Sequence, residues 1–279
     1  MAFTAKADYA GPKDAQGVPM LDYHGAIGPQ YNPIAIAQYA LGNYNLFEST
    51  GEPRRKTEFL KTADWLVENL EENKAGLRVW HHHFDWEYRT PLKAPWYSGL
   101  AQGQGISALV RAHQITHDSR YLEAARAAFE SLLKTVDQGG VIFIDASGHK
   151  WIEEYLVDPP THILNGFLWA SWGVYDYWLA SGDPQARVLF EDCAKTIAAN
   201  LGAYDLGFWS LYEQSGTRLP MLASPFYHRL HIVQLEVMNR LTGMSVFSEY
   251  ATRWAAYAEA WPKRTRALIY KSAFKLLYY

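Results

Sequence analysis

Apolar residues recur with helical spacing along most of the chain. Phe59, Ala63, Leu66 and Leu70 form one such series, and residues three or four positions apart lie on one face of an α-helix. Strand-like sequence is sparse, and 140–144 is the best short candidate. Further stretches of helical character span 34–44, 104–116, 122–136, 163–179, 189–201, 230–241 and 247–261. The pattern therefore predicts an all-α fold.

Four turns divide these helices at regular intervals. They are centred on Gly51, His117, Gly182 and Gly243, with steps of 66, 65 and 61 residues. Each turn ends one helix and opens another, so the spacing predicts four helical hairpins of similar length. An open row of hairpins would need polar capping helices, whereas the last repeat is rich in Trp and Tyr. This composition favours closure into an (α/α) toroid, or barrel.

Three long insertions interrupt the helical pattern, at 75–102, 137–161 and 203–228. They are longer than usual helix connections, which favours functional loops. The inner helices of a toroid converge on one mouth, so we expect these loops, with short β-hairpins, to lie there. The predicted organisation is an N-terminal extension over 1–29, a catalytic toroid over 30–261 and a basic, helical tail over 262–279.

Composition limits the classes of partner. The chain has 279 residues with 26 Lys and Arg against 29 Asp and Glu, so no overall basic field exists to bind nucleic acid or anionic lipid, and a polyanion needs a local cluster. The single cysteine, Cys193, excludes an intramolecular disulfide. No apolar stretch is long enough to span a bilayer. The first residues lack the apolar run of a signal peptide, which predicts a cytoplasmic protein.

Aromatic residues are abundant, with 11 Trp, 19 Tyr and 12 Phe. They suit a sugar-binding cleft, but they also suit an ordinary core. The run His81-His82-His83 has no acidic or cysteine partner at metal-ligand spacing, so we expect no metal site. Phosphate-binding, dinucleotide-binding and zinc-protease motifs are absent from the sequence, and we expect no cofactor.

The first candidate cluster joins an insertion to a helix. Trp96 and Tyr97 offer a stacking platform, and Gln102 and Gln104 offer a hydrogen-bonding edge at the helix start. These residues would contact a substrate. An aromatic plug at the end of a helix explains the same residues equally well.

The second cluster places two acids and a phenol before an apolar helix. Glu153, Glu154 and Tyr155 are followed by Asn165. Two adjacent carboxylates that share one pocket raise the pKa of at least one of them, as a general base requires. The alternative is that one or both acids lie on the surface.

The third cluster combines phenols and cations. It comprises Tyr212, Arg218, Tyr227, His228, Arg229 and His231. Tyr227 and His231 are four residues apart and share a face if the helix has begun by Tyr227. Such a cluster can neutralise a carboxylate and hold a phenol near a carbon acid, although simple packing is the competing interpretation.

The three clusters together carry a family resemblance. In order, they are Pro95-Trp96-Tyr97-Ser98 with Ala101-Gln102-Gly103-Gln104, Glu153-Glu154-Tyr155 with Leu164-Asn165-Gly166-Phe167, and Phe226-Tyr227-His228 with His231 and Gln234-Leu235. This order and spacing strongly resembles the C-terminal helical domain of the D-glucuronyl C5-epimerases that act on heparan-type polysaccharides. Tyr31-Asn32-Pro33-Ile34 also resembles the entry into that domain. The resemblance runs from about residue 30 to residue 261.

The resemblance implies roles for particular residues. Glu154 and Tyr155 match the family's catalytic pair, Tyr212 is the best match to the phenol of the third loop, and Tyr227 matches the last phenol. The family has an arginine three residues after the third-loop phenol. That position is Ser215 here, and Arg218 is the nearest candidate to hold the substrate carboxylate.

The implied reaction converts D-glucuronate to L-iduronate within an anionic, heparan- or heparosan-type polysaccharide. Glu154 and Tyr227 would exchange the C5 proton on opposite faces, with Tyr155 and Tyr212 assisting. A phenol of ordinary pKa could act as a base only if nearby cations favour its phenolate, and the His and Arg residues suggest such cations. The family's substrates are exported glycans, so an exported protein stays an alternative.

Other functions remain open at this point. Elimination after the same proton abstraction would make the protein a polysaccharide lyase. A glycoside hydrolase would use Glu153 or Glu154 with Asp158 or Glu213, and a non-catalytic glycan-binding domain would need only the aromatic platform. Trp254, Tyr257 and Trp261 suit either a core ridge or the interface of a homodimer.

Overall fold

The computed structural model describes residues 3–278, and within that range the chain forms nine α-helices joined by loops and short strand pairs. Met1, Ala2 and Tyr279, which belong to the expected extension and tail, lie outside the described residues. The helices are α1 (Pro33–Thr50), α2 (Pro53–Glu68), α3 (Gly99–Thr116), α4 (Ser119–Phe129), α5 (Leu164–Ser181), α6 (Pro184–Asn200), α7 (Pro225–Thr242), α8 (Ser245–Glu259) and α9 (Trp261–Tyr278).

Left-handed residues turn the chain between the helices of each pair. Gly51, Gly182 and Gly243 have φ of 70°, 72° and 71°, and His117 has φ of 59°. Each residue returns its backbone N–H to a carbonyl in the last turn of the preceding helix, which ends that helix. The four expected hairpins are therefore confirmed as α1/α2, α3/α4, α5/α6 and α7/α8.

The hairpins form an (α/α) toroid. Helices α1, α3, α5 and α7 pack side by side as the inner wall, and each contacts its outer partner. The closest approach joins α3 to α5, where a Cβ on Gly103 would lie 2.4 Å from Ala170 Cα and a Cβ on Gly173 would lie 2.1 Å from Gly103 O. Because neither glycine has a side chain, the two backbones can touch.

The strand pairs lie at one end of the toroid, in the loops that enter or leave the inner helices. They are all antiparallel: β1 (Leu21–Asp22) with β2 (Pro29–Gln30), β3 (Glu71–Glu72) with β4 (Arg78–Val79), β5 (His81–His82) with β6 (Trp96–Tyr97), and β7 (Ile142–Ile144) with β8 (Lys150–Ile152). The strand expected at 140–144 is thus present as β7.

The start of α7 and the packing of the C-terminal helix differ from the sequence-based expectation. The third insertion ends at residue 224 and not at 228, because Ser224 Oγ accepts a hydrogen bond from Tyr227 N at 3.2 Å and Pro225 opens α7. The basic tail is not a free appendage, since α9 packs through buried Ala267 and Phe274. No helix within residues 3–278 is long and apolar enough to cross a membrane.

A seam separates the first and last inner helices. Within residues 3–278, α1 and α7 do not pack on each other as the other inner neighbours do. The N-terminal turn, Thr4–Lys6, packs on α1 beside this seam. A Cβ on Gly42 would lie 2.6 Å from Phe3 O, so the bare glycine lets the N-terminal backbone lie against α1. The Thr4–Lys6 turn therefore forms part of the cavity wall beside the seam.

Candidate active site

Glu154 lies at the mouth, just after β8. The preceding residue is fixed by the start of α3, because Gly99 N donates to Glu153 O at 2.9 Å. On the other side, a Cβ on Gly166 would lie 2.0 Å from Glu154 Oε2. The carboxyl group therefore rests against the first turn of α5.

Tyr155 is held between two aromatic rings. Its ring centroid is 4.3 Å from that of Tyr88 and 5.8 Å from that of Trp96. Trp96 is itself fixed, since its Nε1 donates to Phe84 O at 2.8 Å and its ring stacks on His82 at 3.8 Å. Trp96, which was expected to stack on a substrate, thus contacts the ring of Tyr155.

Tyr212 and Tyr227 meet although they come from different segments. Their ring centroids are 4.9 Å apart with an interplanar angle of 63°. The backbone N–H of Leu164 donates to Tyr212 O at 3.1 Å, which ties the third loop to the start of α5. Tyr227 lies in the first turn of α7. The four residues implied by the resemblance therefore surround one region of the mouth.

A cavity of about 710 Å³ opens at this point. It passes along the seam between α1 and α7 and is large enough for more than one sugar ring. Its lining includes Phe3, Lys6, Gln38, Glu154, Asn165, Trp169, Tyr227 and Arg229. The cavity therefore combines a carboxyl group, a phenol, two cations, amides and aromatic rings.

Polar side chains with unused hydrogen-bonding atoms cluster on the inner helices. Gln104 Oε1 accepts from Gln38 Nε2 at 3.2 Å, and Gln234 Nε2 donates to Asn165 O at 3.1 Å. Five other buried polar atoms of this group have no partner among residues 3–278: Gln102 Oε1, Gln104 Nε2, Glu154 Oε2, Asn165 Oδ1 and Gln234 Oε1. Since buried polar atoms are normally bonded, such a group is typical of a binding site for a polar molecule.

The pKa of Glu154 is raised to about 8. Burial is the largest cause, and the negative charges of Glu213 and Glu153 add to it. A carboxyl group that titrates near neutral pH can both accept and donate a proton under working conditions.

The phenols differ from the sequence-based expectation. Burial and the charge of Glu154 raise the pKa values of Tyr155, Tyr212 and Tyr227, so these groups are neutral proton donors at neutral pH. Burial also lowers the pKa of His228 to about 4 and that of His231 to about 3. The expectation that cationic histidines favour a phenolate is therefore wrong.

Several expected contact residues perform structural roles outside the cavity. Glu153 accepts from both the backbone and the ring of His162, and the Tyr97 hydroxyl donates to Gly139 O at 2.8 Å. His228 stacks on Trp209 at 3.8 Å and contacts Trp254 O at 3.0 Å. Buried groups with these partners are satisfied by the protein itself.

His231 and Arg218 are also absent from the lining of the cavity. His231 is fully buried, with Nδ1 3.1 Å from Ser210 Oγ and its ring near Trp254. Arg218 is exposed on the third loop and has no hydrogen bond or ion pair among the described residues. Arg229 lines the cavity together with Glu154 and Tyr227, whereas Arg218 does not line it.

Sequence reasoning missed a second polar group beside Tyr155. Tyr88 Oη donates to Glu213 Oε2 at 2.5 Å and Arg89 Nε donates to Glu213 Oε1 at 2.6 Å. Glu213 is buried, and its charge raises the pKa of Glu154. Tyr88 and Arg89 belong to the first insertion, whose length was the only sequence signal for them.

The histidine run does not form a metal centre. His81 and His83 both lie 3.1 Å from the same Glu71 oxygen, whereas His82 is buried against Trp96. Among residues 3–278, no cluster of three or more His, Cys, Asp or Glu side chains could hold a metal ion.

Sequence comparison identifies relatives of the chain. The family model described as D-glucuronyl C5-epimerase C-terminus matches residues 73–256. The chain is 31% identical over 215 residues to D-glucuronyl C5-epimerase of Caenorhabditis elegans, covering 72% of this chain and 35% of that protein. It is 29% identical over 202 residues to an uncharacterized protein of Methanocaldococcus jannaschii, covering 71% and 64%. Each match thus spans less than two thirds of the relative's length.

Solved structures share the fold at low sequence identity. D-mannose isomerase superposes with a TM-score of 0.62 at 11% identity, covering 92% of this chain and 67% of that chain. Cellobiose 2-epimerase from Bacillus thermoamylovorans B4167 gives 0.60 at 12% identity, covering 81% and 59%. Unsaturated glucuronyl hydrolase from Bacillus sp. GL1 gives 0.55 at 12% identity, covering 80% and 61%. These similarities confirm the expected toroid.

Proposed function

The chain belongs to the family of the D-glucuronyl C5-epimerase C-terminus, and from this premise we propose that it inverts C5 of D-glucuronate residues to L-iduronate. The substrate is an anionic polysaccharide of heparosan type. The observation that carries the proposal is a single cavity lined by the Glu154 carboxyl group and the Tyr227 phenol, with Tyr212 in contact with Tyr227.

Inversion at C5 needs two proton-transfer groups on opposite faces of one carbon. The ionised Glu154 carboxylate takes the C5 proton, and the electron pair of the broken C–H bond passes into the substrate carboxylate as a dianionic enolate. The Tyr227 hydroxyl then gives its proton to C5 on the other face, and a new C–H bond forms. Exchange of both groups with water restores the protein.

The raised pKa values of Glu154 and Tyr227 suit their roles as base and acid. With a pKa of about 8, Glu154 is partly ionised near neutral pH and is a stronger base than an ordinary carboxylate. Tyr227 keeps its proton because its pKa is raised, so it enters the reaction as the acid. Transfer in the reverse direction exchanges the two roles.

The developing enolate needs donors close to the substrate carboxylate. Arg229, Asn165 and Gln38 line the cavity together with Glu154. Their N–H groups are positioned by helices α7, α5 and α1, so little reorganisation is needed when negative charge develops. Tyr155 from the second loop and Tyr212 from the third loop add neutral phenols near Tyr227. In this scheme Arg229 holds the carboxylate, and Arg218 does not.

Competing reactions make different demands on the same residues. Hydrolysis with Glu154 and Glu213 requires two free carboxyl groups, whereas Glu213 is already bonded to Tyr88 and Arg89. Elimination begins with the same C5 proton abstraction and differs only in the loss of the 4-linked sugar. Product analysis therefore has to separate epimerisation from elimination.

The test is incubation of the protein with heparosan in deuterated water. Epimerisation places deuterium at C5 and produces iduronate, both visible by nuclear magnetic resonance. Elimination would instead produce the ultraviolet absorbance of an unsaturated uronide, and a binding module would give neither product. Absence of C5 exchange under conditions where the glycan binds would overturn the proposal.

Two variants assign the proton transfers. Glu154→Gln and Tyr227→Phe should each lower C5 exchange by about 10²- to 10⁴-fold, the usual range for loss of an acid or base. Tyr250→Phe is the matched control, because Tyr250 lies in α8 against Trp254 and Arg253. Near-normal exchange in Tyr227→Phe would remove this phenol from the mechanism.

A further inference from the structure

Helix α9 carries an apolar face that is largely exposed among the described residues. Trp261, Leu268, Ile269 and Leu276 are 68, 54, 66 and 87% exposed. At 100° per residue, all four lie within one side of the helix. Single exposed leucines are ordinary, but four large apolar side chains on one side of a helix, interrupted only by Thr265 and Ser272, mark an interaction surface.

The opposite side of α9 fixes its orientation. Ala267 is buried, Lys263 Nζ donates to Gly207 O at 2.9 Å, and Lys271 Nζ donates to Leu222 O at 2.9 Å. These contacts lie along the length of the helix and attach it to the third loop. The helix therefore cannot turn its apolar face inward without breaking them.

The charges of α9 all have one sign. The helix contains Lys263, Arg264, Arg266, Lys271 and Lys275 and no Asp or Glu, although acidic residues outnumber basic residues in the whole chain. Helical projection places Arg264 and Lys275 along one edge of the apolar face and Arg266 along the other. All three are exposed, although Arg266 also lies 4.0 Å from the Phe208 ring.

We propose that α9 docks the protein on an anionic lipid surface. The apolar face enters the headgroup region, with Trp261 at its end, and the bordering cations contact acidic headgroups. A second copy of this chain fits less well, because pairing of two α9 faces brings like charges together. The helix lies on the surface and does not span the bilayer.

Docking in this orientation places the mouth of the toroid near the lipid. The third loop, to which α9 is attached, carries Tyr212. Arg229 lines both the large cavity and a smaller one between α7 and α9 that Arg264 and Leu268 also line. A glycan held at the surface of a membrane would thus reach the cavity without a long path.

The test is flotation of the purified protein with vesicles. Vesicles of phosphatidylcholine with about 30% phosphatidylserine should carry the protein, and vesicles of phosphatidylcholine alone should carry much less. About 0.5 M salt should release most of it, because the screening length falls to a few ångströms. Failure of the protein to float with the anionic vesicles would overturn the proposal.

Matched variants locate the binding surface. The triple variant Leu268→Gln, Ile269→Gln and Leu276→Gln should lower the bound fraction about tenfold or more. The control triple variant, Ile144→Gln, Leu179→Gln and Val188→Gln, changes apolar residues that are 48, 62 and 53% exposed elsewhere, and it should bind like the parent protein. Circular dichroism checks that both variants are folded. Equal loss in both triples would contradict the assignment to α9.

Two further measurements test whether a second copy of the chain or a glycan, instead of lipid, binds the exposed face of α9. Light scattering after size exclusion would reveal a dimer, and a dimer lost in the α9 triple variant without any vesicle binding would replace the lipid by a second copy. Competition with soluble heparosan tests for a glycan surface. Glycan binding that needs Arg264 and Lys275, with no flotation, would also overturn the lipid proposal.

Discussion

Glu154 Oε2 occupies the space that a side chain at Gly166 would need, since a Cβ there would lie 2.0 Å from this oxygen. The glycine is in the first turn of α5 and has a helical backbone, so conformational strain is not the reason for its presence. It leaves room for the carboxyl group beside the helix end. The position of the proposed base thus depends on the absence of one methyl group.

Gly166→Ala should therefore displace Glu154 while leaving the fold intact. A shift of about 1 Å in a reacting group can cost about 100-fold in rate, and we expect a loss of at least that size in C5 exchange. Gly202→Ala is the control, because its added Cβ would meet only Tyr250 Oη at an ordinary 3.5 Å. Full activity in Gly166→Ala would show that Glu154 tolerates displacement or does not act as the base.

The raised pKa of Glu154 predicts how stability changes with pH. Between the ordinary pKa near 4.5 and the folded-state value of about 8, the folded chain holds a proton that the unfolded chain has lost. Protonated Glu154 therefore contributes in full to the free energy of unfolding below about pH 4.5. This stabilisation, on the order of a few kcal/mol, is lost as the pH rises through 8. In urea unfolding at several pH values, Glu154→Gln should flatten this decline. An unchanged slope would contradict the raised pKa.

The same group predicts the pH dependence of catalysis. Proton abstraction needs the ionised carboxylate, so kcat/KM for C5 exchange should rise with pH and level off above about pH 8. The phenols do not oppose this rise, because their pKa values are raised above the working range. Between pH 6 and 8 the ionised fraction of Glu154 should increase about tenfold per pH unit. An exchange rate that falls over this range would assign Glu154 the role of acid.

Variants of two arginines, Arg229 and Arg218, test which residue binds the substrate carboxylate. Arg229 and Arg218 are both exposed, but Arg229 lines the cavity with Glu154 and Tyr227, whereas Arg218 does not line it and is unbonded within residues 3–278. Arg229→Gln should lower kcat/KM for heparosan by about 10- to 100-fold, as expected for loss of a charged donor to the substrate carboxylate. Arg218→Gln should change it little. The opposite ranking would restore Arg218 as the carboxylate ligand.

The Arg89–Glu213 pair predicts an effect on stability. Glu213 is fully buried, and removal of Arg89 leaves its charge with only the Tyr88 hydroxyl. Arg89→Gln should lower the free energy of unfolding by about 2 kcal/mol, less than a fully buried pair because Arg89 is partly exposed. The control is Arg187→Gln, which breaks an exposed pair with Glu191. If chemical denaturation gave equal losses of unfolding free energy for the two variants, the Arg89–Glu213 pair would contribute little to stability.

Much of the fold follows from local sequence. Helical spacing of residues such as Phe59 and Ala63, and turns at Gly51 and Gly182, define the hairpins because they depend on neighbours in the chain. The start of α7 was missed by five residues, since the Ser224-Pro225 pair, which caps and opens that helix, was read as part of an insertion. The Thr4–Lys6 turn gave no periodic signal, and its place in the cavity wall became visible only against α1.

The sequence by itself determined the helical hairpins, the toroid and, through ordered groups of residues around Glu154, Tyr212 and Tyr227, the family. Only the tertiary structure decided which side chains of those groups reach the cavity. In that structure Glu153 bonds to His162, His228 stacks on Trp209 and Glu213 bonds to Arg89. Spacing along a chain fixes the face on which a residue lies, whereas burial and hydrogen bonding depend on segments distant in sequence. The charge state of each group follows from those contacts.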